Sequence, residues 1–238
     1  MKLREWLRMK LNPEPIPGWA VGIYERAARL AIDSYYAPVA GEIVAELGCG
    51  KILDVGTGPG YLPMEIVKRA ESITVVGIDA TAKMIQLAHR RAKAEGLAHR
   101  LTFLVGNAYS LMFQDDSFDM VISTGVLHAW KDPVRALGEC HRVLKPGGVA
   151  WILDPAQILT GKNFLLWCRC LNRWEKIVYK IHSWLPSAGP PRRFSLEEVK
   201  ELLAKTPFVV GTAEQRDGIA IKLKKRVRET GGLGRSYS

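Results

Sequence analysis

The stretch that most constrains this chain is Lys51–Gly60, K-I-L-D-V-G-T-G-P-G. Ile52, Leu53 and Val55 make a short apolar run of the kind a parallel strand buried on both faces needs. The run stops at Gly56, Gly58 and Gly60, with Asp54 near its end. Glycines at alternate positions let the backbone take positive φ and come close to a ligand, because no Cβ intervenes. Tyr61–Ala70 then reads as a helix whose unpaired N-terminal amides face the loop, an arrangement that suits a carboxylate or a phosphate. The dinucleotide fingerprint G-x-G-x-x-G is not met, since Tyr61 stands where its third glycine belongs. The spacing is D-x-G-x-G-x-G.

The same alternation repeats downstream. Residues 73–78 (I-T-V-V-G-I) form a second strand ending on Asp79, and a helix spans about 81–94. Residues 101–105 form a third strand with Gly106-Asn107-Ala108 at its tip, and 118–123 a fourth, followed by a loop carrying His128 and Trp130. Asp132-Pro133 caps a helix running to Leu144, and Lys145-Pro-Gly-Gly148 turns the chain into a fifth strand over 149–153. Five strands alternating with helices imply a doubly wound parallel sheet with ligands at the carboxyl ends of the strands, the edge on which all these polar tips fall.

The flanks read differently. Residues 1–18 suggest a short basic amphipathic helix ended by Pro13, Pro15 and Pro17, and 18–47 reads as mostly helical, with Ile23, Ala27, Leu30, Ala31 and Tyr35 on one face. Glu46-Leu-Gly-Cys-Gly50 imitates a nucleotide loop but lacks a preceding strand, so Gly48 and Gly50 are read as a helix C-cap and turn. After Asp154 the pattern breaks into a Leu-, Trp- and Tyr-rich segment interleaved with cations, over 158–185, then a proline-rich turn. Ser195-Leu-Glu-Glu198 is a capping box opening a helix to about Lys205, and 208–212 with 219–223 form a closing strand pair.

With 238 residues, 47% of them hydrophobic, one domain is the natural count. Charges within the first ten residues and the absence of an apolar h-region argue against a secretory signal, and no apolar run reaches membrane-spanning length. Cys49, Cys140, Cys168 and Cys170 are too scattered for a disulfide framework and point to a reducing, cytoplasmic setting. Cys168-x-Cys170 lacks a second pair, so no metal site is expected. The net charge of +10 permits nucleic acid, anionic lipid or an acidic substrate and selects none.

Four motifs in order, I-L-D-V-G-T-G-P-G (52–60), V-G-I-D-A-T-A-K-M (76–84), F-D-M-V-I-S-T-G-V-L-H (118–128) and A-L-G-E-C-H-R-V-L-K-P-G-G (136–148), resemble those of class I S-adenosylmethionine-dependent methyltransferases of the small-molecule, ubiquinone and menaquinone biosynthesis group. The resemblance covers residues 51–153. It implies an α/β fold: a doubly wound, Rossmann-like, mostly parallel seven-stranded sheet with helices on both faces. N-terminal helices (1–47) cover a cofactor core (48–157), followed by a helical lid insertion (158–191), a closing helix and strand pair (192–228) and a disordered tail (229–238).

It also implies S-adenosyl-L-methionine as cofactor and S-adenosyl-L-homocysteine as product. Asp79 would accept the ribose hydroxyls, or serve as a helix cap, or both. Ala80 and Met84 would lie against the adenine, with Met84 open to a core role, and Asn107, beside Ala108, stands where the family often has Asp, its carbonyl able to accept from the adenine amino group. Asp54, Gly56, Thr57, Gly58 and Gly60 would hold the methionine end, using the backbone amides around Gly56 and Gly58, with Ser123 on its other side. His128 is the candidate base or substrate orienter, against a role in packing its loop, and Tyr35, Tyr36 and Trp130 are candidate pocket walls.

The lid composition points to an apolar small-molecule acceptor and to peripheral contact with an anionic membrane, against an ordinary helical cover with a solvated basic face. An RNA methyltransferase is the alternative, disfavoured because Ser123-Thr-Gly-Val126 stands where a base-methylating N-P-P-Y tetrad would be. A cofactor-binding protein without catalysis is the third reading.

Overall fold

The computed structural model describes residues 20–155, 173–174, 194–208, 210–216 and 218–227. Strands β1 (Gly50–Val55), β2 (Ile73–Asp79), β3 (Leu101–Val105), β4 (Phe118–Thr124) and β5 (Leu144–Pro155) run parallel. Strands β6 (Val210–Arg216) and β7 (Gly218–Lys224) form a hairpin added antiparallel to β5 through β7. The sheet order is β3-β2-β1-β4-β5-β7-β6. From β1 the chain winds outward to β3, then returns to lay β4 against the other side of β1. The ends of β1 and β4 therefore flank the topological switch point, where a crevice opens in doubly wound sheets.

The strands read as unbroken apolar runs because successive residues enter different cores. Ile52, Val75, Phe103, Met120, Ile122 and Trp151 pack under helices α1 (Val21–Leu30), α2 (Ala37–Leu47), α3 (Tyr61–Arg69) and α4 (Ala82–Ala94). Leu53, Val76, Val121 and Ile152 face the opposite layer, with α5 (Pro133–Val143) and α6 (Leu196–Leu203). Asp132 caps α5 by accepting from the Arg135 amide at 3.0 Å, and Ser195 and Glu198 form the expected reciprocal box at the start of α6.

Three elements differ from expectation. The helical stretch before Leu47 is split by a π segment, Ile32–Tyr36, placed just before Pro38. Proline cannot donate and its ring crowds the carbonyl four residues earlier, so the chain widens and Tyr36 N–H reaches Ala31 O at 3.1 Å. Second, β5 begins at Leu144, with Lys145–Gly148 inside the strand instead of in a separate turn. The bulge lies between the pairs Phe118–Leu144 and Met120–Val149, and the Lys225 N–H closes it on Gly148 O at 3.0 Å. Third, β6 extends to Arg216 through Glu214 and Gln215, polar residues tolerated because β6 is the sheet's edge.

Among the described residues no helix is long and apolar enough to cross a membrane. The expected amphipathic helix at 1–18, Cys168, Cys170 and the tail lie outside the described residues. So does most of the lid, except Arg173 and Trp174, which are helical and exposed.

Candidate active site

At the end of β1 the three glycines hold φ values of 82°, 53° and 81° at Gly56, Gly58 and Gly60, the left-handed region that a side chain resists. A Cβ on Gly56 would fall 2.7 Å from Val126 Cγ1, and one on Gly60 would fall 2.9 Å from both Ala88 Cβ and Phe103 Cζ. The loop's amides were expected to reach outward, but they are spent inside. Gly56 and Thr57 donate to Ile78 O at 2.8 and 2.9 Å, Gly60 donates to Thr57 O at 3.1 Å, and Gly58 donates to Asp79 Oδ2 at 2.9 Å. The loop thus contributes shape and close approach, while its hydrogen bonds preorganise it.

Asp79 is the keystone of that arrangement. Its other oxygen accepts from the Thr81 amide at 2.8 Å, just before α4, and Thr81 rather than Asp79 occupies the N-cap. Burial raises its pKa, and the two amide bonds work against that rise. A cleft opens over the ends of β1 to β4, lined by Gly56, Asp79, Ala80, Asn107, Ala108 and Trp130 among others. Asn107 Oδ1 accepts from the Tyr109 amide at 2.9 Å, an Asx turn that fixes its side chain. Met84 has no exposed surface and does not line the cleft, so its place is in the interior.

Asp54 lies deeper, 1% exposed, and its Oδ1 makes no hydrogen bond. Burial lifts its pKa to about 7, eased by the Thr57 hydroxyl and reinforced by the charge of Asp79. Tyrosines from the N-terminal helices cover it. The Tyr24 ring lies over Gly58, 3.7 Å from where a Cβ would stand, and its hydroxyl is hydrogen-bonded to that of Tyr36. Burial, with Asp79 next, pushes the Tyr24 phenol up to about 12. Helix α1 is anchored by Glu25, which accepts from Tyr61 at 2.8 Å and pairs with Arg91 on α4. Ser123 is fully buried and donates to Val55 O at 2.7 Å, tying β4 to β1.

Beyond β4 the chain makes one 3-10 turn, Leu127–Ala129. Here His128 meets Asp154, the penultimate residue of β5. Asp154 Oδ2 accepts from the His128 backbone amide at 2.9 Å, and its Oδ1 is 2.8 Å from His128 Nδ1. Asp154 is buried, and the half-buried Tyr35 lies near enough for the charge of Asp154 to contribute, after burial, to raising its phenol pKa. The Tyr35 hydroxyl makes no hydrogen bond.

Residues 53–152 match the family model described as a methyltransferase domain. The demethylmenaquinone methyltransferase of Thermotoga maritima is 31% identical over 165 residues, covering 68% of this chain and 68% of that protein. The chain belongs to the class I S-adenosylmethionine-dependent methyltransferases. A ubiquinone/menaquinone biosynthesis C-methyltransferase from Dinoroseobacter shibae is 40% identical over 109 residues, 45% of this methyltransferase but only 43% of that relative's own length. The fold also matches a solved structure assigned to the S-adenosyl-L-methionine-dependent methyltransferases, from Methanococcus maripaludis, at a TM-score of 0.69 and 20% identity, covering 88% of this chain and 94% of that one.

The methyltransferase residues missed by sequence reasoning are Asp154 and Tyr24. Asp154 carried a signal: like Asp54 in I-L-D and Asp79 in G-I-D, it ends an apolar strand, W-I-L-D, and so falls on the ligand edge. Tyr24 carried none, because its position over Gly58 depends on how α1 docks. The family's cofactor, S-adenosyl-L-methionine, fits what is present. A buried carboxylate oxygen without a partner suits an ammonium group, and a backbone that no Cβ can enlarge suits a ligand lying against it.

Proposed function

We propose that this methyltransferase moves the methyl group of S-adenosyl-L-methionine onto a small, apolar acceptor that must lose a proton, with demethylated quinols in their reduced, hydroxyl-bearing form as the first class to test. The acceptor class follows the printed names of the Thermotoga and Dinoroseobacter relatives. The observation that carries the reading is the placement, on one sheet edge, of the glycine loop and a histidine held by a buried carboxylate. When bound, S-adenosyl-L-methionine supplies a methyl group already activated on a sulfonium, and its in-line transfer leaves the neutral thioether of S-adenosyl-L-homocysteine.

Asp79 and Asn107 hold the adenosine end, with Ala80 and Ala108 as apolar walls. Asp54 receives the ammonium of the methionine end, and Gly56, Gly58 and Gly60 let that end lie against the backbone, with Thr57 beside it. Ser123, fully buried and bonded to Val55 O, acts only by tying β4 to β1. His128 accepts the acceptor's proton at Nε2. Tyr24, Tyr35 and Tyr36 cover the reacting region from the N-terminal side and exclude water.

The test is release of S-adenosyl-L-homocysteine with a reduced demethylated quinol, in wild type and His128→Ala. Quinol-dependent release that the variant loses supports the reading, and release that is independent of quinol or of His128 overturns it. The exposed Arg173 and Trp174, with Trp174 at 76%, favour peripheral contact of the lid region with anionic membrane. Equal recovery of the protein in the supernatant with anionic and neutral vesicles at low salt would remove that part.

A further inference from the structure

We infer that Asp154 is a positioning residue that holds His128 as the Nδ1–H tautomer and so leaves Nε2 as the basic nitrogen. The inference rests on the proposed role of His128 as the proton acceptor. A carboxylate only accepts, so the two atoms it meets on His128 must both carry hydrogen. One is the backbone N–H, 2.9 Å from Oδ2, and the other is Nδ1, 2.8 Å from Oδ1. Both oxygens thus grip one residue, fixing the turn's backbone and the ring together. Free imidazole side chains favour the Nε2–H form, which points a proton rather than a lone pair away from Asp154. The carboxylate reverses that preference.

The surroundings support the assignment. Asp154 sits at the end of β5, its backbone in register with Ile219 of β7, so the rigid sheet sets its position. The 3-10 turn has a closure of its own as well, from the Ala129 amide to Val126 O at 2.9 Å. Tyr35, the phenol nearest in charge terms, makes no hydrogen bond and therefore does not compete for either oxygen. An Asn at 154 would break the match while keeping the volume. It offers one acceptor and one amino group to two donors, and the conflict is relieved when Nδ1 loses its proton and accepts from the amide.

The experiment is imidazole ¹H–¹⁵N long-range correlation on ¹⁵N-labelled protein at a pH where histidines are neutral, with His128 assigned by its loss in His128→Gln. The expected result is an Nδ1–H pattern for His128 in wild type and a shift toward Nε2–H in Asp154→Asn, with methylation of the reduced demethylated quinol lowered roughly 10²–10⁴-fold. An Nε2–H pattern in wild type overturns the inference without recourse to any variant, as does an unchanged tautomer in folded Asp154→Asn. A tautomer change with undiminished turnover would keep Asp154 in its role and remove His128 as the base, so the two readings fail separately.

Discussion

The sheet edge has two halves that were assembled in different ways. On the proposed donor half, Gly56 to Gly60, Asp79 and Asn107 stand at or just past the tips of β1, β2 and β3, and the Gly58 amide donates to Asp79. On the proposed acceptor half, Asp154 grips both the backbone amide and the ring of His128, and Tyr35 of the N-terminal helical region lies near enough to feel the Asp154 charge. The donor half is a property of backbone shape, because its glycine loop satisfies its own amides and leaves Asp54 Oδ1 unpaired. The acceptor half is a property of side-chain chemistry held by packing. Variants in the two halves should therefore fail in different ways.

The largest effect belongs to the acceptor half. His128→Ala should lower turnover roughly 10²–10⁴-fold, the usual contribution of a positioned general base, as read from S-adenosyl-L-homocysteine release at saturating cofactor. A loss that appears only in the acceptor's KM would make His128 an orienter instead.

Next comes Asp54. Its folded pKa of about 7 lies above the ordinary value, so between about pH 4 and 7 the folded protein without cofactor binds more protons than the unfolded chain. The stability due to this group is full below pH 4 and lost as pH rises through 7, by at most about 4 kcal/mol. Asp54→Asn should flatten that slope in denaturant titrations across this window. A slope unchanged in the variant would mean that Asp54 is hydrated or paired in solution.

Gly60→Ala should cost about 2–3 kcal/mol, since the new Cβ meets Ala88 and Phe103 at 2.9 Å on a backbone at φ 81°. The midpoint of urea unfolding reads this, and a wild-type midpoint would show that the loop relaxes freely. The smallest effect is that of Tyr35→Phe. Removing a hydroxyl without a partner should leave stability unchanged or raise it by up to about 1 kcal/mol, whereas a drop of that size in thermal unfolding would reveal a hydrogen bond on Tyr35.

The two halves were unequally legible in the sequence for the same reason that they differ physically. Apolar runs ending in Asp54 and Asp79, and glycines spaced for positive φ, are local signals, and the first four strands fell within a residue or two of their expected ends. Lys145-Pro-Gly-Gly148 misled because a bulge inside a strand and a turn between elements use the same residues. Ala213–Arg216 was overlooked because an edge strand need not be apolar. The π segment was written in Pro38 but readable only with knowledge of the helix before it. Asp154 was missed although its apolar strand, W-I-L-D, ends on the ligand edge, and its pairing with His128 is a tertiary fact, as is Tyr24's position over Gly58.

Calorimetric titration of S-adenosyl-L-methionine into wild type, Asp79→Ala and His128→Ala, side by side, tests the division of the edge most directly. Asp79→Ala removes the acceptor for the Gly58 and Thr81 amides, charge-assisted bonds worth about 1.5–3 kcal/mol each, and should weaken binding at least roughly tenfold. His128→Ala should bind within about twofold of wild type if, as proposed, it acts on the acceptor's proton. Wild-type affinity in Asp79→Ala, or an equal loss in both variants, would contradict the account.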